Sequence, residues 1–243
     1  MRRRQPVEKY LYFNGHSSTE YCCHIEHKPS IPTPNRKYEE YEVAGRNGKL
    51  HADQGQYENI TVSYQLYFHG RNPTPEQLRS IKAWLCGTPG AYPLSDGYDP
   101  EYFYRGIAKM GDTSNILDKY GRFTVEFDCD PRHFLRSGQE LQEMTNGQVL
   151  LNPLDQVALP YFEVTGNGEE GELTVNGKAF GIKPPAEKTV CCDAETWNAW
   201  LEDGTNANPV TGGIWPELVA GESLIQWSGG IQTVKIMPRW WTL

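Results

Sequence analysis

The first residues whose side chains could bind a metal ion are cysteines and histidines near the N-terminus. They are Cys22, Cys23, His24 and His27. Zinc sites usually join two ligand pairs, and the second pair here could come only from isolated residues such as Cys86 or Cys129. Neighbouring side chains on an extended strand point to opposite faces, which separates the ligands. We therefore interpret the group as buried cysteine beside surface histidine and predict no metal site.

Carboxylate pairs are the second candidate. Asp96 with Asp99, and Asp128 with Asp130, are close in sequence. Glycoside hydrolysis needs two carboxylates that face each other across a cleft, a geometry that near neighbours in sequence seldom reach, and aspartate beside glycine or proline commonly stabilises turns. The glycine-rich stretches lack the residues that complete a phosphate-binding loop or a nucleophile elbow. We predict no catalytic residue and no cofactor.

Tryptophan is concentrated near the C-terminus, where six of the seven tryptophans fall within residues 197–241. Aromatic faces can hold a sugar ring, and tryptophan is also enriched in protein interfaces. Adjacent tryptophans on a strand cannot both face inward, so at least one of the last two meets a partner or solvent. We favour packing and assembly over sugar binding. The candidate contacts with a glycan or a partner protein are Trp200, Trp215, Trp240 and Trp241.

Composition limits the function classes. The 243 residues include 24 Gly and 17 Pro, which suits many short strands joined by turns. A net charge of −8 argues against a nucleic-acid binder. No apolar run approaches the roughly 20 residues of a membrane span, and no signal peptide is visible, so we expect cytoplasmic synthesis without membrane insertion. The six cysteines are expected to be free thiols in a reducing compartment.

The elements that would position functional residues are mainly strands. Apolar residues alternate with polar ones over residues 60–68, and weaker alternation follows over residues 102–110 and 122–129, which predicts antiparallel strands with one buried face. Before the first of these, Asn47-Gly48 predicts a tight turn, and we expect residues 45–57 to project from the sheet. Residues 28–36, here called the strap, contain three prolines and should run extended without a full hydrogen-bond ladder.

One helix is predicted after the alternating strand. Thr74 is a good N-cap, Pro75 suits the first helical position, and Gln77 completes a capping box. Leu78, Ile81 and Leu85 recur at helical spacing, Trp84 widens the apolar face, and Gly87 stands where the helix should end.

A second β domain is expected after a polar stretch. We predict domains over residues 1–146 and 147–243. The second should contain short strands near Phe162, Leu173, Val190, Ile225 and Val234, with hairpin turns at Asn176-Gly177 and Asp203-Gly204. A compact β-sandwich is the expected architecture.

The order of these segments resembles the distal tail protein (Dit) family of siphoviruses, the long-tailed bacteriophages. The strand, the Gly45-Arg46-Asn47-Gly48 turn, the alternating strand and the proline-capped helix resemble the N-terminal domain of that family. Residues 102–134 resemble its paired strands, and residues 152–243 resemble its second sandwich. The resemblance implies a mainly β protein, with an N-terminal antiparallel β-sandwich carrying one packed α-helix and a galectin-like C-terminal β-sandwich.

The resemblance also implies a function. Members of the family form a homo-hexameric ring at the distal end of the tail, a baseplate hub that joins the tail tube to the tail-associated lysin or fibre hub and to receptor-binding proteins. DNA would only pass through the channel, and an acidic lumen would keep it from adhering. The chain would be assembled in the host cytoplasm and reside at the virion tail tip. The expected subunit contacts are Pro32, Pro34, Arg46, Asn47, Gly48 and Lys49.

Two alternatives belong to other classes. A carbohydrate-binding host-adsorption module predicts exposed tryptophan faces, and a cell-wall hydrolase predicts two carboxylates that converge in a groove.

Overall fold

Two compact units make up the chain. The computed structural model describes residues 9–68, 73–111 and 121–243. The first unit runs to His133, and the second runs from Phe134 to Thr242. Three consecutive arginines at residues 2–4 lie outside the described residues, as do residues 112–120, which connect the strands predicted over residues 102–110 and 122–129.

The boundary between the units lies earlier than the position near residue 146 that the sequence suggests. Residues 142–143 pair with a strand of the second unit, and Met144 packs in the second core. This stretch has the polar composition of a linker, but its backbone pairs and its few apolar residues pack within the second unit.

The first unit is built from antiparallel strands and one helix. Its elements are β1 (Leu11–Phe13), β2 (His16–Ser17), β3 (Cys23–Ile25), β4 (Arg36–Tyr41), β5 (Leu50–Tyr57), β6 (Ile60–Phe68), α1 (Pro75–Cys86), β7 (Tyr92–Asp96), β8 (Tyr102–Met110) and β9 (Arg122–Cys129). A short 3₁₀ segment, Ser18–Tyr21, precedes β3. The main sheet has the order β2-β1-β7-β8-β9-β6-β3. It curls, because Ile25 of β3 donates its N–H to the Lys9 carbonyl just before β1.

The predicted alternation is confirmed in β6. Ile60, Val62, Tyr64, Leu66 and Phe68 are all buried, while the residues between them face outward. β6 pairs with β9 along eight consecutive positions, from Ile60 opposite Cys129 to Tyr67 opposite Arg122. Their apolar faces meet in one core because side chains on a strand alternate between its two faces.

The predicted helix is confirmed with its cap. The Thr74 Oγ1 accepts from the Gln77 N–H at 3.2 Å, and the Gln77 side chain accepts from the Thr74 N–H at 2.9 Å. Leu78, Ile81, Trp84 and Leu85 are the buried residues of α1. The indole Nε1 of Trp84 donates to the Phe13 carbonyl at 2.9 Å, which fixes the helix to β1 and satisfies a buried donor.

The remaining strands lie in the second unit, apart from His133, which begins the first of them and is the last residue of the first unit. They are β10 (His133–Leu135), β11 (Gln142–Glu143), β12 (Gln148–Asn152), β13 (Tyr161–Val175), β14 (Lys178–Ile182), β15 (Thr189–Asp193), β16 (Asn198–Leu201), β17 (Thr211–Gly213), β18 (Gly221–Met237) and β19 (Trp241–Thr242). Two 3₁₀ segments, Arg136–Gln139 and Asn208–Val210, lie between them. The turn at Asn176-Gly177 is confirmed, with φ values of 50° and 77° that suit a two-residue hairpin.

Two long bent strands organise the second unit. The first half of β13 pairs with β15 and with the second half of β18, whereas its second half pairs with β14 and with the first half of β18. Four of the short strands predicted from sequence therefore belong to only two continuous strands. The register shifts around Gly166 and Gly171, where the strands bend and divide the sheet into two layers around the core.

The described residues thus form a mainly β protein with antiparallel pairing and a single α-helix, as the sequence predicts. No helix in the described ranges is long and apolar enough to cross a membrane.

Candidate functional site

The most distinctive surface element is a two-stranded hairpin, here called the arm (residues 36–57). Its strands β4 and β5 pair with each other and with no strand of the two larger sheets, as far as the described residues show. Every residue of β4 is exposed, and β5 is exposed except for two half-buried positions. A lone two-stranded hairpin is marginally stable in water, so the arm is suited to gaining stability from a contact outside its own fold.

Two ion pairs join the two strands of the arm to each other along one face. The Arg36 Nε lies 2.7 Å from Asp53 Oδ2, and the Lys49 Nζ lies 2.5 Å from Glu40 Oε2. The hydrogen bond from Arg36 lowers the pKa of Asp53, and the hydrogen bond from Lys49 lowers the pKa of Glu40. These groups are exposed, so each pair adds little stability and chiefly sets the alignment of the two strands.

The loop at the end of the arm brings most of the predicted subunit contacts together. Gly45 and Gly48 have φ values of 80° and 81°, a region that glycine adopts without strain. Arg46 and Asn47 lie between them, and both are exposed. Among the described residues no side chain binds the Arg46 guanidinium. Together with the flanking residues the loop encloses an open concavity of about 490 Å³.

The first residues of the strap lie against the first unit. Lys28, Pro29 and Ile31 line a small cavity of about 70 Å³ next to Asp96. The strap contains no strand before its last residue, as its prolines predict. Of the two prolines expected to contact a neighbouring subunit, Pro32 is exposed and Pro34 is half-buried.

The carboxylate pair beside the strap stabilises a loop. One oxygen of buried Asp96 accepts from the Tyr64 hydroxyl at 2.8 Å, and the other accepts from the backbone N–H groups of Tyr98 and Asp99 at 2.8 and 3.2 Å. Burial, followed by the nearby Asp96 charge, raises the pKa of Tyr64 well above its usual value. Burial and the same charge raise the pKa of Asp99. Asp96 is therefore occupied in holding the loop against the core.

The other candidate groups have equally local partners. Asp128 accepts from Lys109 and Asn59, and Asp130 is paired with Arg132. All six cysteines are free thiols, four of them buried. In the parts of the chain that the structure describes, no three His, Cys, Asp or Glu residues converge to hold a metal ion.

His133 makes the stability of the first unit depend on pH. Its ring stacks on Tyr104 at a centroid distance of 4.2 Å, and burial lowers its pKa from 6.5 to about 4. Between these two values the unfolded chain takes up a proton that the folded chain excludes. Stability must therefore fall as the pH drops from 7 towards 4, by about 2 kcal/mol, which is below the full linkage value because the ring is partly exposed.

Replacement of His133 by phenylalanine should remove this part of the pH dependence. We expect His133→Phe to retain more stability than the parent at pH 4.5 relative to pH 7, measured by urea unfolding. The exposed His27→Gln variant is the control and should follow the parent. Equal losses in His133→Phe and the parent would contradict the assignment.

Three of the predicted tryptophan contacts pack in or against the second core, namely Trp215, Trp240 and Trp241. Trp240 is buried, and Trp215 packs against the same core with its ring centroid 4.8 Å from that of Phe180. The burial of Trp240 corrects its assignment as a surface contact, because no face of its ring is open to a glycan or a partner.

Trp241 and Trp200 lie closer to the surface than Trp240. Trp241 is half-buried and its Nε1 donates to the Val157 carbonyl at 2.9 Å, and Trp200 is half-buried with its centroid 6.1 Å from that of Tyr161. The most exposed is Trp197, at 71%, which stands in the turn between β15 and β16. A single exposed indole does not form the aromatic platform that the carbohydrate-binding alternative predicts.

Sequence reasoning did not single out the apolar residues of the arm. Tyr38, Tyr41 and Leu50 are 51%, 46% and 43% exposed, and Tyr41 pairs directly with Leu50. The available signal was that β4 carries charged residues on both faces, which indicates a ribbon without a buried side. On such a ribbon, the few apolar residues are candidates for contact with a partner.

Net charge is divided unevenly between the two units. Residues 1–133 contain 17 acidic and 17 basic residues, whereas residues 134–242 contain 14 acidic and 6 basic residues. The whole net charge of −8 therefore belongs to the second unit. Because the first unit is neutral overall, the expected acidic lumen would require its carboxylates to be concentrated on the face that lines the channel.

Comparison with known proteins gives a match in structure but none in sequence. No protein-family model matches the chain, and no curated protein sequence matches it. Among solved structures, the Dit protein of phage SPP1 is similar, with a TM-score of 0.64 and 14% sequence identity, over 93% of this chain and 97% of that one. That structure is described as a paradigm of the hub adsorption apparatus in phages that infect Gram-positive hosts. The likeness to the distal tail protein family is therefore confirmed as a shared fold over nearly the whole chain.

Proposed function

We propose that this chain is a structural protein of a phage tail, the hub at its distal end, and that six copies close into a ring. The observation that carries the proposal is the arm, an exposed hairpin whose strands pair with neither larger sheet of its own fold. The fold shared with the SPP1 hub protein supports the general role. The ring, its channel and its partners are our extension of that role.

The arm supplies the contact between neighbouring copies. In a ring, one surface of each copy meets a different surface of the next, so a projecting element and a separate receiving surface are what closure requires. The exposed Tyr41–Leu50 pair offers apolar area, while Arg46 and Asn47 at the end of the arm offer hydrogen-bond donors. The neighbour would supply the packing that a lone hairpin lacks.

The remaining assignments follow from this role. The first unit would surround the channel for DNA and meet the tail tube protein, and the second would hold the tail-associated lysin or fibre hub and the receptor-binding proteins. Assembly would take place in the host cytoplasm, and the finished hub would lie at the tail tip. We propose a structural rather than an enzymatic protein. The carboxylates singled out in the sequence are engaged within the fold, which supports this view.

Removal of the donors at the end of the arm should weaken the ring. We expect the double variant Arg46→Ala, Asn47→Ala to weaken each contact between copies by about 2 kcal/mol, or roughly thirtyfold, because both groups would sit centrally in the interface. Light scattering at micromolar concentration should show a hexamer for the parent and smaller species for the variant. Electron microscopy of the parent should show a ring with a central pore.

The control is Lys235→Ala, which removes an exposed cation from the second unit. Its hexamer should be as stable as that of the parent. A hexamer that survives the double variant at nanomolar concentration would exclude the arm end as a contact, and a strictly monomeric parent would contradict the ring.

A further inference from the structure

An apolar strip lies on the outer face of the second unit, where β12 pairs with β18. The strip consists of Val149, Leu151 and Leu224, which are 48%, 62% and 38% exposed. Val149 pairs directly with Leu224, so the strip crosses two neighbouring strands without a break. The adjacent residues Leu150 and Ile225 face inward and are buried. On the wetted face of an antiparallel sheet these positions are usually polar, which makes the strip a candidate contact surface.

The backbone beside the strip is also open. In the described part of the chain, β12 pairs with β18 on one side and with no strand on the other. Alternate N–H and C=O groups of an antiparallel strand point away from its partner, so the outer edge of β12 can accept another strand. Edges that are meant to stay unpaired usually carry lysine, proline or a bulge, and β12 contains none of these.

Charge decides what kind of strand fits. Glu222 pairs with Leu151 in the register, and Glu172 lies on β13 across from Ser228. The paired stretches, residues 148–152, 171–175 and 221–229, contain no Lys or Arg. With the charge excess of the whole unit, this face attracts a basic segment and repels a second copy of the same unit.

We propose that the edge of β12 and the apolar strip bind an extended basic segment of a partner protein, which joins the sheet as an additional strand. The backbone of that segment pairs with β12, and its alternate apolar side chains cover the strip. Its lysine or arginine side chains alternate with the apolar ones and lie on the opposite face, where they are attracted by the charge excess of the whole unit, to which Glu222 contributes. The inference rests on the proposed hub function, because the partner would be another component of the assembly that docks on the second unit.

Binding of short fluorescent peptides to the intact chain tests the proposal. The probe is the peptide Lys-Val-Lys-Ile-Thr-Val-Lys with blocked ends, and its counterpart carries glutamate in place of each lysine. We expect the basic peptide to bind in the micromolar range at low salt and the acidic one at least about tenfold more weakly. Bound basic peptide should slow amide hydrogen exchange in β12, and methylation of its backbone nitrogens should abolish binding.

Variants of the strip locate the site. Leu151→Gln should weaken binding of the basic peptide about tenfold, and Glu222→Gln should weaken it severalfold and reduce its salt dependence. The matched control is Ile214→Gln, which alters an equally exposed apolar residue outside the strip and should leave binding unchanged. Equal affinity for the two peptides, unchanged binding in Leu151→Gln, or no binding up to about 1 mM would each overturn the proposal.

The same samples separate this inference from the proposed function. Leu151→Gln should leave the hexamer intact, and the arm variant should leave peptide binding intact. A hexamer without peptide binding overturns only the docking surface, whereas peptide binding without any oligomer overturns only the ring. A shift of the oligomeric state in Leu151→Gln would mean that the strip meets a second copy, which also overturns the docking of a basic segment.

Discussion

Replacement of Gly229 by valine should destabilise the second unit by about 4 kcal/mol. Gly229 has φ of 68°, and a Cβ built there would lie 2.4 Å from the Glu170 carbonyl oxygen and 2.9 Å from the Gly171 Cα. Both atoms belong to the backbone of the paired strand, so neither can rotate away. Valine is β-branched and poorly suited to this left-handed conformation, so backbone strain adds to the steric overlap. The two costs together give the expected loss.

The loss of stability should be confined to the second unit, which contains the two bent strands. Six of the seven tryptophans lie within residues 197–241, so indole fluorescence during urea unfolding reports mainly on the second unit. The control is Gly181→Ala, because its added Cβ would meet nothing closer than the Gly212 carbonyl oxygen at 3.7 Å. That variant should change stability by less than about 1 kcal/mol. Similar losses in the two variants would refute the role assigned to the bend.

Truncation of Phe127 to alanine should destabilise the first unit by about 4 kcal/mol. The ring is fully buried on β9, with centroid distances of 5.0 Å to Phe13 and 5.8 Å to Tyr64, both in edge-to-face geometry. Truncation removes these contacts and leaves a cavity that the paired strands cannot fill without losing register. Amide hydrogen exchange of β6 and β9 should accelerate by several hundredfold, since each factor of ten corresponds to about 1.4 kcal/mol.

A control for this variant lies on the neighbouring strand. Ile107 of β8 pairs with Asp128, and its side chain is 47% exposed. Ile107→Ala should lower stability by about 1 kcal/mol or less, because folding removes little of the apolar surface of this side chain from water. Equal losses in Phe127→Ala and Ile107→Ala would show that the first core does not lie between the strands as described.

These two predictions bear on the proposed hub, because its units and its arm differ in what stabilises them. The units have buried cores of their own, whereas the arm has exposed strands and surface ion pairs. A scaffold that must hold its shape while joining several partners needs stable bodies and adaptable contact elements. The core variants should therefore affect unfolding, and the arm variant should affect assembly without lowering the stability of either unit.

The sequence alone determined the features that depend on neighbouring residues. The cap of α1 needs only Thr74 and Gln77, three positions apart, and the tight turn at Asn176-Gly177 needs only residues that tolerate positive φ. The alternation of β6 likewise fixed which of its faces is buried. Each of these signals is complete within a few residues, so no knowledge of the rest of the chain was required.

Tertiary structure decided what depends on distant residues. Phe162 and Leu173 were predicted on separate short strands, yet both lie on β13, because continuous pairing with β18 carries the strand through its bend. The partner of Asp96 is Tyr64, on a different strand, and the apolar strip exists only because β12 lies beside β18. Local composition could not reveal these contacts, since the energy that selects them comes from pairing and burial between segments far apart in the chain.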